Sequence, residues 1–219
     1  MTSKPQLLLA LDANALIHRA YHAIPPLTSR SGEPTNATFG FASTLLKVLE
    51  DFEPELVAAA FDVGRTFRHE LYTEYKAQRD KAPDDLLVQL KRSQEIVEAF
   101  GIPACSVPGY EADDILATLS QQALAAGLEV IIVTGDTDTL QLVRPGVRVY
   151  MVGRKFSEGM LYDVEQVKRR YGLAPEQLVD YKSLCGDTSD NIPGVPGIGP
   201  KTATTLLQEY GSVEGIYQN

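Results

Sequence analysis

Nine carboxylates, Asp12, Asp62, Glu111, Asp113, Asp114, Asp136, Asp138, Asp187 and Asp190, are spaced so that a folded α/β sheet would gather them. Three of the segments that carry them are apolar runs ending in acid: LLLALD reaches Asp12, LVAAAFD reaches Asp62, and LEVIIVTGDTD reaches Asp136 and Asp138. Each run has the near-continuous apolarity of a buried parallel strand. Ligands of open parallel sheets bind in the crevice beyond the carboxyl ends of the strands, so acids that end separate strands converge there. Crowded carboxylates repel one another and take up protons unless a compensating cation sits among them. Their hard oxygen donors favour Mg²⁺ or Mn²⁺.

Glu111, Asp113 and Asp114, within GYEADDIL, open a segment whose pattern predicts a helix running to about Ala126, with Gly127 as its stop. Ile115, Leu116 and Leu119 would turn its apolar side to the sheet. Taken singly, acids in a first turn cap the helix and suit its dipole. Repetition argues for more, because an acid pair recurs at Asp136 and Asp138 and again at Asp187 and Asp190, each beside a glycine. One ion needs few protein carboxylates, so nine predict two ions. Two divalent ions roughly 4 Å apart serve in-line displacement at phosphorus, and phosphodiester hydrolysis is the leading chemistry.

A formal charge of -9 and a pI near 4.9 look unsuited to a polyanionic substrate. Setting the nine acids aside, however, leaves a formally neutral remainder that can carry local basic patches. In FRHELYTEYKAQRD, Arg68, Tyr72, Lys76 and Arg79 follow helical spacing with Tyr75 beside them. Cations that hold phosphates and tyrosines that stack on unpaired bases suit single-stranded nucleic acid, although a solvated amphipathic helix would show the same stripe. Arg154 with Lys155, and Lys168 with Arg169 and Arg170, are weaker basic groups that suit ordinary surface equally well.

GVPGIGPKTA joins a predicted helix over about 175–184 to another over about 200–210 and reads as a helix-hairpin-helix. Gly194, Gly197 and Gly199 would let the backbone approach a ligand closely, while the amides opening the second helix, with Lys201, would hold a phosphate.

Five stretches, LALDANALIHRAYHA, FDVGRTFRHELYTEYKAQRD, GYEADDILATL, TGDTDTLQL and GDTSDNIPGVPGIGPKTA, together resemble in order the 5′-nuclease domain of bacterial DNA polymerase I, related to phage 5′-exonucleases and flap endonucleases. The resemblance covers the whole chain. It implies a Mg²⁺- or Mn²⁺-dependent enzyme, with two ions, that removes nucleotides from DNA 5′ ends and cuts 5′ flaps in primer removal and repair. It places all nine acids in the metal cluster and assigns Lys76 and Arg79 to the scissile phosphate. It also implies a helical arch over about 65–91 that admits a free 5′ strand, with Tyr75 as a stacking residue and Arg19 as a phosphate contact. A monovalent cation at the hairpin, a monomeric state and a covalently attached polymerase in a longer parent are further expectations. Thr137 stands where the family often carries lysine, which alters local charge but keeps both flanking carboxylates. The chain stops at Asn219, where the family continues with further helices, so a shortened carboxyl end is expected.

The elements that must position these residues fit one α/β core over about 1–174, followed by a helix-hairpin-helix region over 175–219. Phe39, Ala42, Leu45, Leu46 and Leu49, then Leu86, Leu87, Leu90, Val97 and Phe100, are predicted to line helices covering a mostly parallel, doubly wound sheet, with VRVYMV as a further strand. Cys105 and Cys185 lack metal-ligand spacing and read as free thiols, and His18, His22 and His69 have no nucleophile arranged around them. The leading apolar run is too short for a membrane span or a signal core, which predicts a soluble cytoplasmic protein. A PIN-type ribonuclease would share the acid cluster but usually lacks the hairpin and arch, and a non-catalytic DNA-junction module would have lost cluster acids. A calcium loop at Asp136 lacks its glycine and closing glutamate, and an aspartyl phosphatase would need an aspartate at Asn14.

Overall fold

The computed structural model describes residues 5–153 and 158–219, and the basic pair Arg154 and Lys155 lies outside them. Strands β1 (Leu7–Asp12), β2 (Leu56–Ala60), β3 (Ala104–Cys105), β4 (Glu129–Thr134), β5 (Val147–Val152) and β6 (Gly159–Tyr162) form one sheet in the order β3-β2-β1-β4-β5-β6. The first five are parallel and β6 runs antiparallel to β5. The three acid-ended runs are β1, β2 and β4, and VRVYMV is β5. β3 and β6 went unpredicted because two and four residues are too few to show a period.

Side chains alternate across a strand, and β1 uses both faces. Leu7, Leu9 and Leu11 turn to the side covered by α1 (Ala13–Ala23), α2 (Asn36–Phe52) and α4 (Asp84–Ala99), where they meet Leu16, Ile17, Phe41, Leu45, Leu86 and Val97. Leu8 and Ala10 turn to the side covered by α5 (Ala112–Ala125) and α6 (Val164–Tyr171), against Ile115, Leu116 and Val167. Helices on both faces of a mostly parallel sheet give the doubly wound arrangement that the sequence predicts.

The predicted apolar stripes need correction. Leu45, Leu86 and Val97 are buried, but Phe39, Leu46, Leu87 and Phe100 are each more than half exposed. The inward side of α2 is instead Ala37, Phe41, Leu45 and Val48. On α4 a polar residue takes an inner position: Gln89 Oε1 accepts from the amides of Ala37 (2.7 Å) and Thr38 (3.2 Å), and its Nε2 donates to Asn36 Oδ1 at 3.1 Å. Gln89 thus serves the open amides of α2, whose own cap residue Thr35 offers no side-chain bond.

The segment 65–91 also departs from expectation. Helix α3 (Phe67–Leu71) ends at Tyr72, which is extended at φ -141, and turns follow up to residue 78. Arg68, Tyr72, Lys76 and Arg79 therefore share no helix face. Residues from Asp84 onward already belong to α4, which packs on α2.

Beyond α6, a 3₁₀ turn at Pro175–Gln177 leads into α7 (Leu178–Cys185), so the predicted helix starts as a tighter turn. A short antiparallel pair, β7 (Gly186–Asp187) and β8 (Ile192–Pro193), leads to α8 (Pro200–Tyr210) and α9 (Val213–Gln218). Leu173, Leu184, Ala203 and Leu207 form a small separate core there. Among the described residues no helix is long and apolar enough to cross a membrane. Cys105 and Cys185 are free.

Candidate active site

The strand order reverses direction between β1 and β4, the switch point where a crevice opens beyond the carboxyl ends of the strands. Asp12 ends β1 and caps α1, with Oδ1 accepting from the Ala15 amide at 3.1 Å. Its Oδ2 accepts from Thr134 Oγ1 at 2.6 Å, and the same hydroxyl accepts from the Asp136 amide at 2.9 Å. One buried threonine at the end of β4 therefore fixes the acids of both central strands. Asp136 in turn caps the 3₁₀ turn Thr137–Leu142 by accepting from the Asp138 amide at 2.9 Å. Asp62, two residues past β2, accepts from the Ala112 amide at 2.6 Å and so ties its strand to the start of α5. Its own amide donates to Asn14 Oδ1 at 3.2 Å.

These links bring Asp12, Asp62, Glu111, Asp113, Asp136, Asp138 and Asp190 around a cavity of about 250 Å³, with His18, Lys76 and Arg79 on its wall. Burial pushes Asp12 up to about 6, against hydrogen bonds from Thr134 and Ala15 and with help from the charges of Asp62 and Asp136. Asp113 is raised well above the usual carboxylate range, first by burial and then by Asp12, Asp136, Asp62 and Asp138. Among the described residues, no lysine or arginine lies within ion-pair distance of Asp12, Asp62, Asp113 or Asp136. Burial also lowers His18, assisted by His22 and Arg79, which favours its neutral form.

A second acidic group adjoins the first. Asp138, Asp187 and Asp190 present oxygens within 4.8 Å of one another, half-buried and suited to a cation. Lys182 of α7, which the sequence reading did not single out, donates to Asp138 at 2.5 Å and Asp187 at 2.7 Å. Burial pushes Asp138 up to about 6 despite Lys182. Burial would raise Asp187 too, but hydrogen bonds from Lys182 and Ser189 outweigh it and hold this acid well below the usual range. The same two acids keep Lys182 firmly charged although burial opposes it.

Lys76 and Arg79 reach the cavity from the turns after α3. Lys76 Nζ lies 3.0 Å from both Glu111 oxygens, and Arg79 donates to Asp190 Oδ1 at 2.8 Å. The Lys76 backbone is left-handed, at φ 55, and its amide donates to the Asp190 carbonyl at 3.0 Å. A lysine in that region carries local strain that the surrounding bonds must hold.

Several predicted site residues are placed differently. Tyr75 is only 6% exposed, its hydroxyl shared between Glu111 (2.9 Å) and Asp190 (3.0 Å), so its ring offers no open face for a base. Arg68 holds Asp114 through both guanidinium arms, at 2.7 and 2.8 Å, leaving that fork engaged by a protein carboxylate. Asp114 also accepts from the Glu111 amide at 2.9 Å and borders a different, largely apolar groove with Tyr110 and Ile115. Arg19 is half-buried and donates to the Gly153 carbonyl at 3.3 Å, while Tyr72 is exposed as expected. A side chain at Gly194 would strike the Cys185 backbone, so that glycine serves an internal contact. Gly197 is left-handed at φ 84, Gly199 caps α8 facing open space, and Lys201 is exposed in the first turn of that helix.

Comparison with known proteins adds to this geometry. Residues 7–172 match the family model described as 5′-3′ exonuclease, N-terminal resolvase-like domain, and residues 173–219 match 5′-3′ exonuclease, C-terminal SAM fold. DNA polymerase I of Caldicellulosiruptor bescii is 49% identical over 215 residues, covering 97% of this chain and 25% of that protein. DNA polymerase I of Bacillus subtilis is 43% identical over 220 residues, covering 100% of this chain and 25% of that protein. The chain thus spans about a quarter of the length of these curated relatives. The bacteriophage T5 D15 protein co-crystallised with metal ions shares the fold, with a TM-score of 0.81 at 24% identity, covering 98% of this chain and 79% of that one. The catalytic core of Rad2 in complex with DNA substrate superposes with a TM-score of 0.64 at 24% identity, covering 97% and 63%.

Proposed function

Because the chain belongs to the 5′-3′ exonuclease family, we propose that it hydrolyses DNA phosphodiesters at 5′ ends and 5′ flaps with divalent metal, water being the nucleophile. One observation carries the reading: Asp12, Asp62, Asp113 and Asp136 meet in one cavity with no cation paired to them among the described residues. The donor set fits Mg²⁺ or Mn²⁺, since all the groups are carboxylates and burial raises two of the four. Asp12, Asp62, Glu111, Asp113 and Asp136 would hold one ion, and Asp138, Asp187 and Asp190 a second, with Asp114 supporting the first group through the Glu111 amide. Bound there, the ions supply charge neutralisation at phosphorus and a deprotonated water. The T5 protein's co-crystallisation with metal ions supports this reading.

Lys76 and Arg79 stand on the wall of that cavity, where their charges meet the oxygens of the phosphoryl group under attack. Their present partners, Glu111 and Asp190, are the acids that the ions would take over, which releases both cations toward phosphate. Neutral His18 lies beside them as a hydrogen-bonding group. The region from residue 175 onward, with Lys201 at the start of α8, holds the duplex backbone. Since the relatives are DNA polymerase I proteins four times longer, the same nuclease would act beside a polymerase in primer removal and repair.

The test is cleavage of an end-labelled 5′-flap DNA by the chain in Mg²⁺, with single-stranded RNA and EDTA as comparisons. Flap cutting that EDTA abolishes is expected. Asp113→Asn should lose it while keeping the fold, and Lys76→Ala should slow single-turnover cutting by about 10²–10³ with little change in DNA binding. Cutting that survives EDTA, or a folded chain that cuts only RNA, would overturn the reading.

A further inference from the structure

We propose that Lys182 is the resident cation of the second acidic group, an ammonium that a divalent ion must displace, and that it makes this group the weaker and later-filled metal position. The inference rests on the two-ion reading above and assigns a cause for inequality between the positions. Lys182 donates to Asp138 at 2.5 Å and to Asp187 at 2.7 Å. Those two carboxylates, with Asp190, are the ones whose oxygens lie within 4.8 Å of one another. Ammonium and metal would therefore compete for the same two carboxylates. Mg²⁺ draws carboxylate oxygens to about 2.0–2.1 Å, so an ion held by Asp138 and Asp187 would sit close enough to the ammonium to repel it.

The neighbouring group is built differently. Among the described residues, Glu111 alone of its five acids is paired, with Lys76, while Asp12, Asp62, Asp113 and Asp136 have no lysine or arginine within ion-pair distance. All three acids of the second group start paired, Asp138 and Asp187 with Lys182 and Asp190 with Arg79. Lys182 can also leave, because its side chain is 37% exposed and sits in the last turn of α7 with solvent alongside. Losing even one charge-assisted hydrogen bond on metal entry corresponds to about tenfold in affinity.

The experiment is a Mn²⁺ titration of the full chain without DNA, reading free ion by electron paramagnetic resonance, for the parent, Lys182→Met and Lys182→Arg. The parent should show one tight and one weak class of site. Lys182→Met should tighten the weak class by about tenfold or more and leave the tight class alone, while Lys182→Arg should stay weak. A weak class unchanged or further weakened by methionine would overturn the proposal, as would equal tightening by arginine. Absence of bound Mn²⁺ from parent and variants alike would instead remove the two-ion reading and this proposal with it. Should the methionine variant fail to fold, amine acylation of the parent followed by mass spectrometry decides the matter. Lys182 should be protected without metal and labelled in saturating Mn²⁺, and labelling indifferent to Mn²⁺ would overturn the proposal.

Discussion

Asp12 shows in one residue why the cavity calls for a cation. Its carboxylate is buried beside other acids, and burial, helped by the charges of Asp62 and Asp136, lifts it to about 6 against two hydrogen bonds that favour the charged form. Above that pH the metal-free fold carries an unfavourable charge, worth about 3 kcal/mol for a shift of roughly two pKa units. Asp12→Asn can keep its oxygen on the Ala15 amide and reverse the Thr134 contact, Nδ2 donating to Oγ1, so it should stabilise the metal-free protein at pH 7.5, by at most about that amount, in urea unfolding while cancelling stabilisation by Mg²⁺. A destabilised variant would show that the charge is not what the fold resists. The sequence made these acids conspicuous because each closes an apolar run or opens a helix. It did not reveal Thr134, which looks like any β-branched strand residue, nor Lys182, whose link to Asp138 joins positions far apart along the chain. Tyr75 and Arg68 mislead for a related reason: an aromatic or a guanidinium near a cavity reads as a ligand contact until its protein partner, here Glu111 or Asp114, is known.

At the scale of elements, strands were legible and helix faces less so. β1, β2 and β4 are buried on both sides, so unbroken apolarity marks them without any need for register. The faces of α2 and α4 were misjudged because Gln89 sits on an inner face to serve the amides of its neighbour. Gln89→Leu should leave those amides unpaired and cost about 3 kcal/mol in urea unfolding, with metal binding per folded molecule unchanged. A loss below about 1 kcal/mol would mean that α2 finds other partners. The turns after α3 escaped the sequence reading because the charged stripe obeys helical spacing although the chain leaves the helix at Tyr72. What holds those turns is contact with Asp190: the Lys76 amide, the Arg79 side chain and the Tyr75 hydroxyl all reach it. Lys76→Gly should relieve the left-handed strain while removing the cation, so its melting temperature should not fall below that of Lys76→Ala.

For the whole molecule, the acids make stability depend on pH, and a bound ion would couple that dependence to metal. Asp12 and Asp138 bind protons more tightly folded than unfolded, so their favourable contribution is present at low pH and is lost as pH rises from about 4 through about 6. Asp187, held low by Lys182, contributes in the opposite sense at lower pH. In EDTA, the melting temperature should therefore fall between pH 5 and 7.5. Mg²⁺ should restore about 5 °C or more at pH 7.5 and much less at pH 5, because protonated acids no longer offer it ligands. The acidic total that argued against a nucleic-acid substrate belongs largely to this one edge of the sheet, where cations would mask it. Anomalous scattering from crystals equilibrated with millimolar Mn²⁺ probes that edge directly. A manganese peak within the cavity, coordinated by Asp12, Asp113 and Asp136, is the predicted result; intact crystals with manganese elsewhere and that cavity free of it would contradict the account.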